Sequence, residues 1–233
     1  MKTLTAVEEL TPKAKQTRET ILKTAVQLFV EKGYDDTTMR DIAAAAGCSL
    51  GLAYRYYPSK SHLVHTLYDQ VAQEFEEHLD DLPAGTLADR FDAAMRMKFE
   101  MLLPYRAAFG AIIGAILSPD SGVAVLGDEA KETRNFAIRS FAKIVMGSKD
   151  APKQPQLDQM TDLFYAGHLL MLLFWTTDRT PEARATYELL AVTKEVLAFV
   201  RPMLRLPQVA RMLTRITQAM SPVFGGLTRP SSS

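Results

Sequence analysis

Apolar residues recur at helical spacing along most of this chain of 233 residues. In residues 14–32, for example, one helical face collects the side chains of Ile21, Leu22, Ala25, Leu28 and Phe29. No segment alternates β-branched and polar residues between hairpin turns, as a half-buried strand would. The pattern therefore predicts an all-α fold.

Helix boundaries follow from capping residues, glycines and prolines. Gly33 ends the first helix, Ser49 is a good N-cap, and Pro104 breaks one long apolar helix into two. On these signals we predict helices at residues 14–32, 38–45, 49–56, 59–79, 87–103, 105–117, 129–145, 157–176, 182–200 and 208–219.

The charge distribution limits where nucleic acid could bind. The formal net charge is zero, which argues against a protein that coats nucleic acid without sequence preference. Basic residues outnumber acidic residues near the two ends of the chain, and the stretch between them is acidic. We therefore expect a DNA-facing surface to come from the ends.

Two short predicted helices flank a glycine-containing turn, Ala46-Gly47-Cys48. This spacing is typical of a helix-turn-helix, in which the second helix enters the major groove of DNA. The first helix begins at Thr38, and Asp41 three residues later completes a near capping box. The N-terminal part of the chain is therefore predicted to bind double-stranded DNA.

The segment TTMRDIAAAAGCSLGLAYRYYPSKSHL resembles the DNA-binding signature of the TetR (tetracycline-repressor) family, and the resemblance runs from about Thr17 to Leu67. It implies a transcriptional repressor that binds operator DNA as a homodimer and leaves it when a small-molecule effector binds. We accordingly expect a DNA-binding domain at residues 1–66, a helical effector-binding and dimerisation domain at 67–221, and a disordered tail at 222–233.

The resemblance also implies roles that side-chain chemistry supports. Ser49 and Leu50 open the recognition helix and would face base edges, and Gly51 allows close backbone approach. Phosphate contacts are expected from Thr38, Tyr54, Arg55 and Lys60, and Arg40 is expected to reach either a phosphate or a base edge. For Thr38 a simple capping role is equally compatible. Tyr56, Tyr57 and Cys48 are expected in the core, with a redox-sensing thiol as the alternative for Cys48.

An effector cavity is expected between residues 87–117 and 157–176, where aromatic and methionine side chains are concentrated. Each of these residues could instead be ordinary core; together with the resemblance, they favour a pocket for an apolar or aromatic effector, with His168 as its polar group. The predicted lining is Met101, Tyr105, Phe109, Phe164, His168, Met171 and Trp175.

The predicted helices at 157–176 and 182–200 are apolar over more of their circumference than one monomeric core requires. Two such helices from each subunit would form a four-helix dimer interface and demand a near-palindromic operator. The candidate contacts are Leu169, Leu172, Leu189, Val192 and Val196.

The rival classes are an enzyme and a DNA-binding adaptor without an effector. No catalytic motif, phosphate-binding glycine loop or complete metal-ligand set is visible, so we expect no enzyme, no cofactor and no metal.

No secretory signal is apparent at the start, and the longest apolar runs are too short to span a bilayer. These features favour a cytoplasmic protein without a membrane partner. A ligand-induced rise in melting temperature would separate the repressor from the adaptor.

Overall fold

The computed structural model describes residues 11–224, and this part of the chain contains ten α-helices and no strand, which confirms the all-α prediction. The helices are α1 (Pro12–Lys32), α2 (Met39–Ala45), α3 (Leu50–Tyr56), α4 (Lys60–Glu77), α5 (Leu87–Leu102), α6 (Arg106–Leu117), α7 (Lys131–Met146), α8 (Gln156–Thr177), α9 (Arg184–Met203) and α10 (Pro207–Phe224).

The chain divides into two compact units, Met1–Leu67 and Tyr68–Ser233. In the first unit, α2 packs on α1 and α3. Its apolar core holds Ile21 and Phe29 of α1, Ile42 of α2 and Ala53 of α3, all buried. Because α2 buries three residues and α3 only one, neither short helix is stable alone, and the packing of α2 on both α1 and α3 stabilises the arrangement.

In the second unit, α5 lies at the centre and packs on α7, α8 and α9, while α8 also contacts α6 and α10. The break expected at Pro104 is a single 3-10 turn, Leu103–Tyr105, between α5 and α6. Phe99 of α5 stacks on Trp175 of α8, with ring centroids 5.4 Å apart. This stacked pair joins the two central helices.

The segment Leu87–Leu117, taken as one stretch, has the length and apolar composition of a membrane-spanning helix. The sequence prediction concerned uninterrupted apolar runs, and this segment is not one, because Arg96, Lys98 and Arg106 interrupt it. Core helices of soluble proteins have the same length and composition, and α5 packs on three other helices here.

The C-terminal helix is longer than predicted. Instead of ending near residue 219, α10 continues through Pro222 to Phe224. The proline lies in the last turn, where its missing N–H costs the helix one backbone hydrogen bond. The first three residues of the predicted tail at 222–233 are therefore helical, and the remainder of that tail lies outside the described residues.

The connection between α8 and α9 is organised by Asp178. Its carboxylate accepts hydrogen bonds from the backbone N–H and hydroxyl of Thr180, at 2.8 and 2.7 Å, and from those of Thr186, at 2.9 and 2.7 Å. Between these threonines, Glu182 and Ala183 adopt left-handed φ values of 54° and 55°. Non-glycine residues in this region are strained, by about 1–3 kcal/mol each. The hydrogen bonds to Asp178 hold the strained turn closed.

We predict that Asp178→Ala lowers the melting temperature at pH 7, whereas Asp120→Ala, in an exposed loop, leaves it unchanged. The hydrogen bonds from Thr180 and Thr186 lower the pKa of Asp178 below its ordinary 3.8. A carboxylate with a lowered folded-state pKa stabilises above its unfolded pKa and loses that effect as the pH falls.

The difference in melting temperature between the wild type and Asp178→Ala should therefore be constant from pH 7 to about 5 and narrow below about 4. Thermal unfolding followed by circular dichroism at each pH measures the two melting temperatures. An equal loss in Asp120→Ala would contradict the assignment.

Candidate DNA-binding surface and candidate ligand cavity

Helix α3 is capped by Ser49, whose hydroxyl accepts a hydrogen bond from the backbone N–H of Leu52 at 3.2 Å. Ala53 turns inward and is fully buried, while Gly51, Tyr54 and Arg55 are exposed. No heavy atom lies within 4 Å of the point where a Cβ on Gly51 would be. The predicted recognition helix therefore presents an exposed face at Gly51, Tyr54 and Arg55, and no other described part of the chain fills the space beside Gly51.

The predicted phosphate donors of Thr38 are already engaged in the capping box. The backbone N–H and the hydroxyl of Thr38 both donate to Asp41 Oδ2, at 2.9 and 2.6 Å, and the Asp41 N–H donates to the Thr38 hydroxyl at 3.2 Å. These bonds lower the pKa of Asp41. Thr38 thus acts as a helix cap, and a phosphate contact by its hydroxyl would have to replace Asp41. Arg40, two residues on, is exposed.

Lys60, which is predicted to contact a phosphate, has partners within the protein. Its Nζ donates hydrogen bonds to the backbone carbonyls of Tyr34 and Asp35 and lies 4.2 Å from the centroid of the Tyr34 ring. Partial burial lowers its pKa. Lys60 therefore ties the start of α4 to the loop after α1, and its phosphate contact stays a prediction.

The tyrosines that end α3 differ in burial. Tyr57 is buried, and its hydroxyl donates to the backbone carbonyl of Arg18 at 3.2 Å. Tyr56 and Cys48 are only half-buried. Of the three residues expected in the core, Tyr57 alone is fully enclosed.

A cavity of about 280 Å³ lies within the second unit, lined by α4 to α8, the loop before α7, and Phe224 at the end of α10. Of the seven predicted lining residues, Phe109, His168 and Trp175 line it. The structure does not place the other four there, namely Met101, Tyr105, Phe164 and Met171.

The four misplaced residues face other neighbours or the surface. Phe164 is buried against Phe91, with ring centroids 4.5 Å apart, and Met171 is buried outside the cavity. Met101 and Tyr105 are half-exposed where α5 gives way to the 3-10 turn. Sequence periodicity identified the right helices and mistook their orientation.

The orientation of α8 explains a second correction. Its cavity-lining residues are Tyr165, His168, Leu169, Leu170, Leu172, Leu173, Trp175 and Thr176. Leu169 and Leu172, predicted as dimer contacts, therefore line the cavity. The large apolar residues of α8 that are exposed are Leu170, which also lines the cavity, and Phe174, which does not.

Sequence reasoning missed a buried lysine. Lys98 is 5% exposed, and its Nζ lies 4.3 Å from the ring centroid of Phe75 and 5.6 Å from that of Phe141. Within residues 11–224, no acidic side chain pairs with it. Burial lowers the pKa of Lys98 to about 8. The sequence could have indicated this burial, because Lys98 lies three residues after Met95 and so falls on the same, buried face of α5.

Three further polar groups line the same cavity. His168 pairs through Nδ1 with the Tyr165 carbonyl; because a carbonyl only accepts, Nδ1 donates and Nε2 is left as an acceptor. Burial, followed by the charge on Lys98, lowers the pKa of His168 well below 6.5, so the ring is neutral at pH 7. Burial raises the pKa of Tyr165, which keeps its hydroxyl protonated. Arg134 is 6% exposed, and its Nη1 donates to the carbonyls of Val125 and Gly127.

In the described part of the chain, no group of three His, Cys, Asp or Glu side chains could hold a metal ion. Two of the histidines, His62 and His78, have local partners. The Nδ1 of His62 bonds to the Ser59 hydroxyl at 2.8 Å, and the Nδ1 of His78 bonds to the Glu74 carbonyl at 2.8 Å.

Residues 21–67 match the family model described as bacterial regulatory proteins, tetR family. The HTH-type transcriptional repressor KstR of Rhodococcus jostii is 40% identical over 62 residues, which make up 27% of this chain and 28% of that protein. The repressor KstR2 of Mycolicibacterium smegmatis is 28% identical over 161 residues, covering 64% of this chain and 72% of that protein. The similarity to KstR thus spans less than a third of its length.

Similarity of fold extends over most of the chain. The crystal structure of a tetR-family transcriptional regulator from Streptomyces coelicolor superposes with a TM-score of 0.57 over 88% of this chain and 89% of that one. Sequence identity in that superposition is 20%. The agreement shows a shared all-helical fold.

We predict that Lys98→Met is more stable than the wild type at pH 7, because the methionine removes an unpaired buried charge. The folded-state pKa of Lys98 is about 8, against an ordinary value of 10.5. Below pH 8 Lys98 is protonated in both the folded and the unfolded protein, so the folded state bears the full cost of burying the charge. Between pH 8 and 10.5 only the unfolded chain holds it, so wild-type stability rises.

The stability difference between Lys98→Met and the wild type should therefore shrink by up to about 3 kcal/mol over that interval. Urea unfolding at a series of pH values gives this difference directly. A difference that stays constant from pH 7 to 10.5 would show that Lys98 is solvated or paired.

Proposed function

We propose that this chain, whose residues 21–67 match the model of the tetR family of bacterial regulatory proteins, is a DNA-binding transcriptional repressor that a small-molecule effector releases from its operator. One observation carries the proposal: the capped helix α3 presents an exposed, unobstructed face at the position of a recognition helix. Residues 1–66 would bind DNA, and residues 67–221 would hold the effector and the dimer interface. A regulator of genes acts in the cytoplasm.

The proposed DNA contacts divide by position on α3. Ser49 and Leu50, at its N-terminal end, are assigned to base edges, because that end of a recognition helix enters the major groove. Tyr54 and Arg55 follow on the exposed surface and are assigned to phosphates. Gly51 lies between the two groups, where the DNA backbone would approach most closely.

Effector release is assigned to the cavity of the second unit. Tyr68, Val71 and Ala72 of α4 line it, and the same helix begins at Lys60, in the predicted DNA-binding segment. A ligand that fills the cavity therefore contacts a helix shared with the DNA-binding unit. To release DNA, the ligand must favour the state that does not bind; a coupling of about 1–3 kcal/mol changes operator affinity roughly 5–150-fold.

A homodimer is supported by an apolar stripe on α9. Leu189, Val192, Val196 and Phe199 recur at helical spacing and are exposed, Phe199 by 67%. The exposed Leu170 and Phe174 add a smaller apolar patch on α8. Exposed apolar stripes of this kind mark protein interfaces. Two copies of α8 and α9 would form the proposed four-helix interface, and the operator would be a near-palindrome.

An experiment can distinguish the proposed repressor from the two rival classes, an enzyme and a DNA-binding adaptor without an effector. KstR and KstR2 are described as transcriptional repressors, and no reaction is proposed for this chain. A compound that raises the melting temperature and is recovered unchanged would favour the repressor over both rivals.

We predict that Gly51→Ala weakens operator binding at least tenfold while slightly stabilising the protein. Alanine is favoured over glycine inside a helix by about 0.5–1 kcal/mol, and nothing in the protein obstructs the added methyl group. On DNA, the same methyl group would separate α3 from the groove. The operator is first selected from random double-stranded DNA, and affinity is then measured by fluorescence anisotropy.

Gly47→Ala is the matched control, because Gly47 has a φ of 66° that disfavours a side chain. It should destabilise the protein, in contrast to Gly51→Ala. Unchanged operator affinity in Gly51→Ala would refute the close approach of α3.

A second prediction concerns assembly: Val192→Glu should convert a dimer into a monomer in sedimentation velocity at micromolar concentration. The substitution places a charge in the middle of the apolar stripe on α9, where a partner helix would have to desolvate it. Val30→Glu, on α1 and similarly exposed at 46%, should leave the dimer intact. A wild-type monomer at this concentration would contradict the interface.

A further inference from the structure

The charges around the cavity are unbalanced. Two basic side chains, Lys98 and Arg134, line it, and no aspartate or glutamate does so within the described residues. Both are almost completely buried, at 5% and 6% exposure. A buried charge is costly unless it is paired. Two charges of one sign in one cavity therefore indicate a site for an anion that none of the described residues supplies.

Neither cation has its charge satisfied by its neighbours. The Lys98 ammonium contacts the rings of Phe75 and Phe141. It has no hydrogen bond or ion pair with any described residue. Arg134 donates from Nη1 to two loop carbonyls, and its Nε is buried without a hydrogen-bond partner. Five donors on a planar guanidinium suit a carboxylate, which can accept two parallel hydrogen bonds.

The two cations line the cavity together with the rings of Tyr165 and His168. Lys98 Nζ lies 5.6 Å from the ring centroid of Phe141, which in turn lies 4.6 Å from that of His168. The rings of Tyr165 and His168 are 5.0 Å apart. The polar groups therefore cluster around one part of α8, and the protonated Tyr165 hydroxyl adds a further donor there.

The rest of the lining is apolar and includes Phe109, Ile113, Ile116, Leu169 and Leu172. At roughly 30 Å³ for each water-sized group, the cavity of about 280 Å³ holds about nine such groups. A ligand that fills it would therefore bury a short hydrocarbon chain or ring together with one charged group.

We propose that the cavity binds an amphipathic carboxylate, an apolar chain or ring of medium size whose carboxylate pairs with Lys98 and Arg134. The assignment rests on the proposed role of the cavity as the effector site, and it narrows the expected apolar effector to an anionic one. An uncharged molecule of the same size would leave both cations unpaired, and an amine would add a third positive charge.

Three probes with the same eight-carbon chain test the proposal: octanoate, 1-octanol and octylamine, titrated into the full-length protein by calorimetry at pH 7. Octanoate should bind at least tenfold more tightly than 1-octanol, and octylamine should bind most weakly. Lys98→Met should abolish the preference for octanoate over 1-octanol, while Lys98→Arg, which keeps the charge, should retain it. Circular dichroism verifies that each variant is folded.

Arg134→Gln provides a second, independent variant and should reduce the octanoate preference in the same direction. Tighter binding of 1-octanol or octylamine than of octanoate would overturn the proposal. So would an octanoate preference that survives in both Lys98→Met and Arg134→Gln.

The proposed repressor function is tested in a separate arm, in which octanoate is added to the protein on its selected operator. If octanoate binds with the expected dependence on Lys98 but the protein binds no DNA, the carboxylate assignment is supported and the repressor proposal fails. If the protein binds operator DNA and the cavity prefers 1-octanol, the repressor proposal stands and the carboxylate assignment fails.

Discussion

The second unit depends on how the α5–α6 break is held against the end of α8. Pro104 removes a backbone donor at the break, so the direction of α6 has to be set by other contacts. Arg106 supplies them: its guanidinium donates to the backbone carbonyls of Trp175 and Asp178 and lies 5.1 Å from the centroid of the Trp175 ring. These carbonyls lie at the C-terminal end of α8, where a positive charge is favoured. The cavity exists because α6 is held there.

The first unit combines structural and proposed binding roles on a few short segments. Helices of seven residues are not stable alone, and here each one is capped by a side chain, Thr38 for α2 and Ser49 for α3. Lys60 likewise closes the loop after α1. These three residues maintain the fold whether or not DNA is present. Among the described residues, Gly51, Tyr54 and Arg55 make no comparable contact, and they are the residues proposed to contact DNA.

The predictable features were those set by neighbouring residues. The capping box at Thr38, the turn at Gly47 and the break at Pro104 depend on local chemistry, and the sequence is sufficient to place them. The orientation of α8 was not predictable, because this helix is apolar around most of its circumference. Periodicity alone therefore could not separate Leu169, which lines the cavity, from Phe174, which is exposed outside it. Lys98 was overlooked although it interrupts an apolar stripe, where a charge is unusual.

Trp175 is the only tryptophan in the sequence, and its ring is buried in the wall of the cavity, between Phe99 and Arg106. All of the indole emission of the protein therefore originates at one point, and that point adjoins the space a ligand would occupy. Displacement of water from the cavity, or movement of the Arg106 charge, would alter the wavelength or intensity of this emission. The molecule thus contains its own optical reporter of cavity occupancy, which requires no label and leaves the DNA-binding unit unmodified.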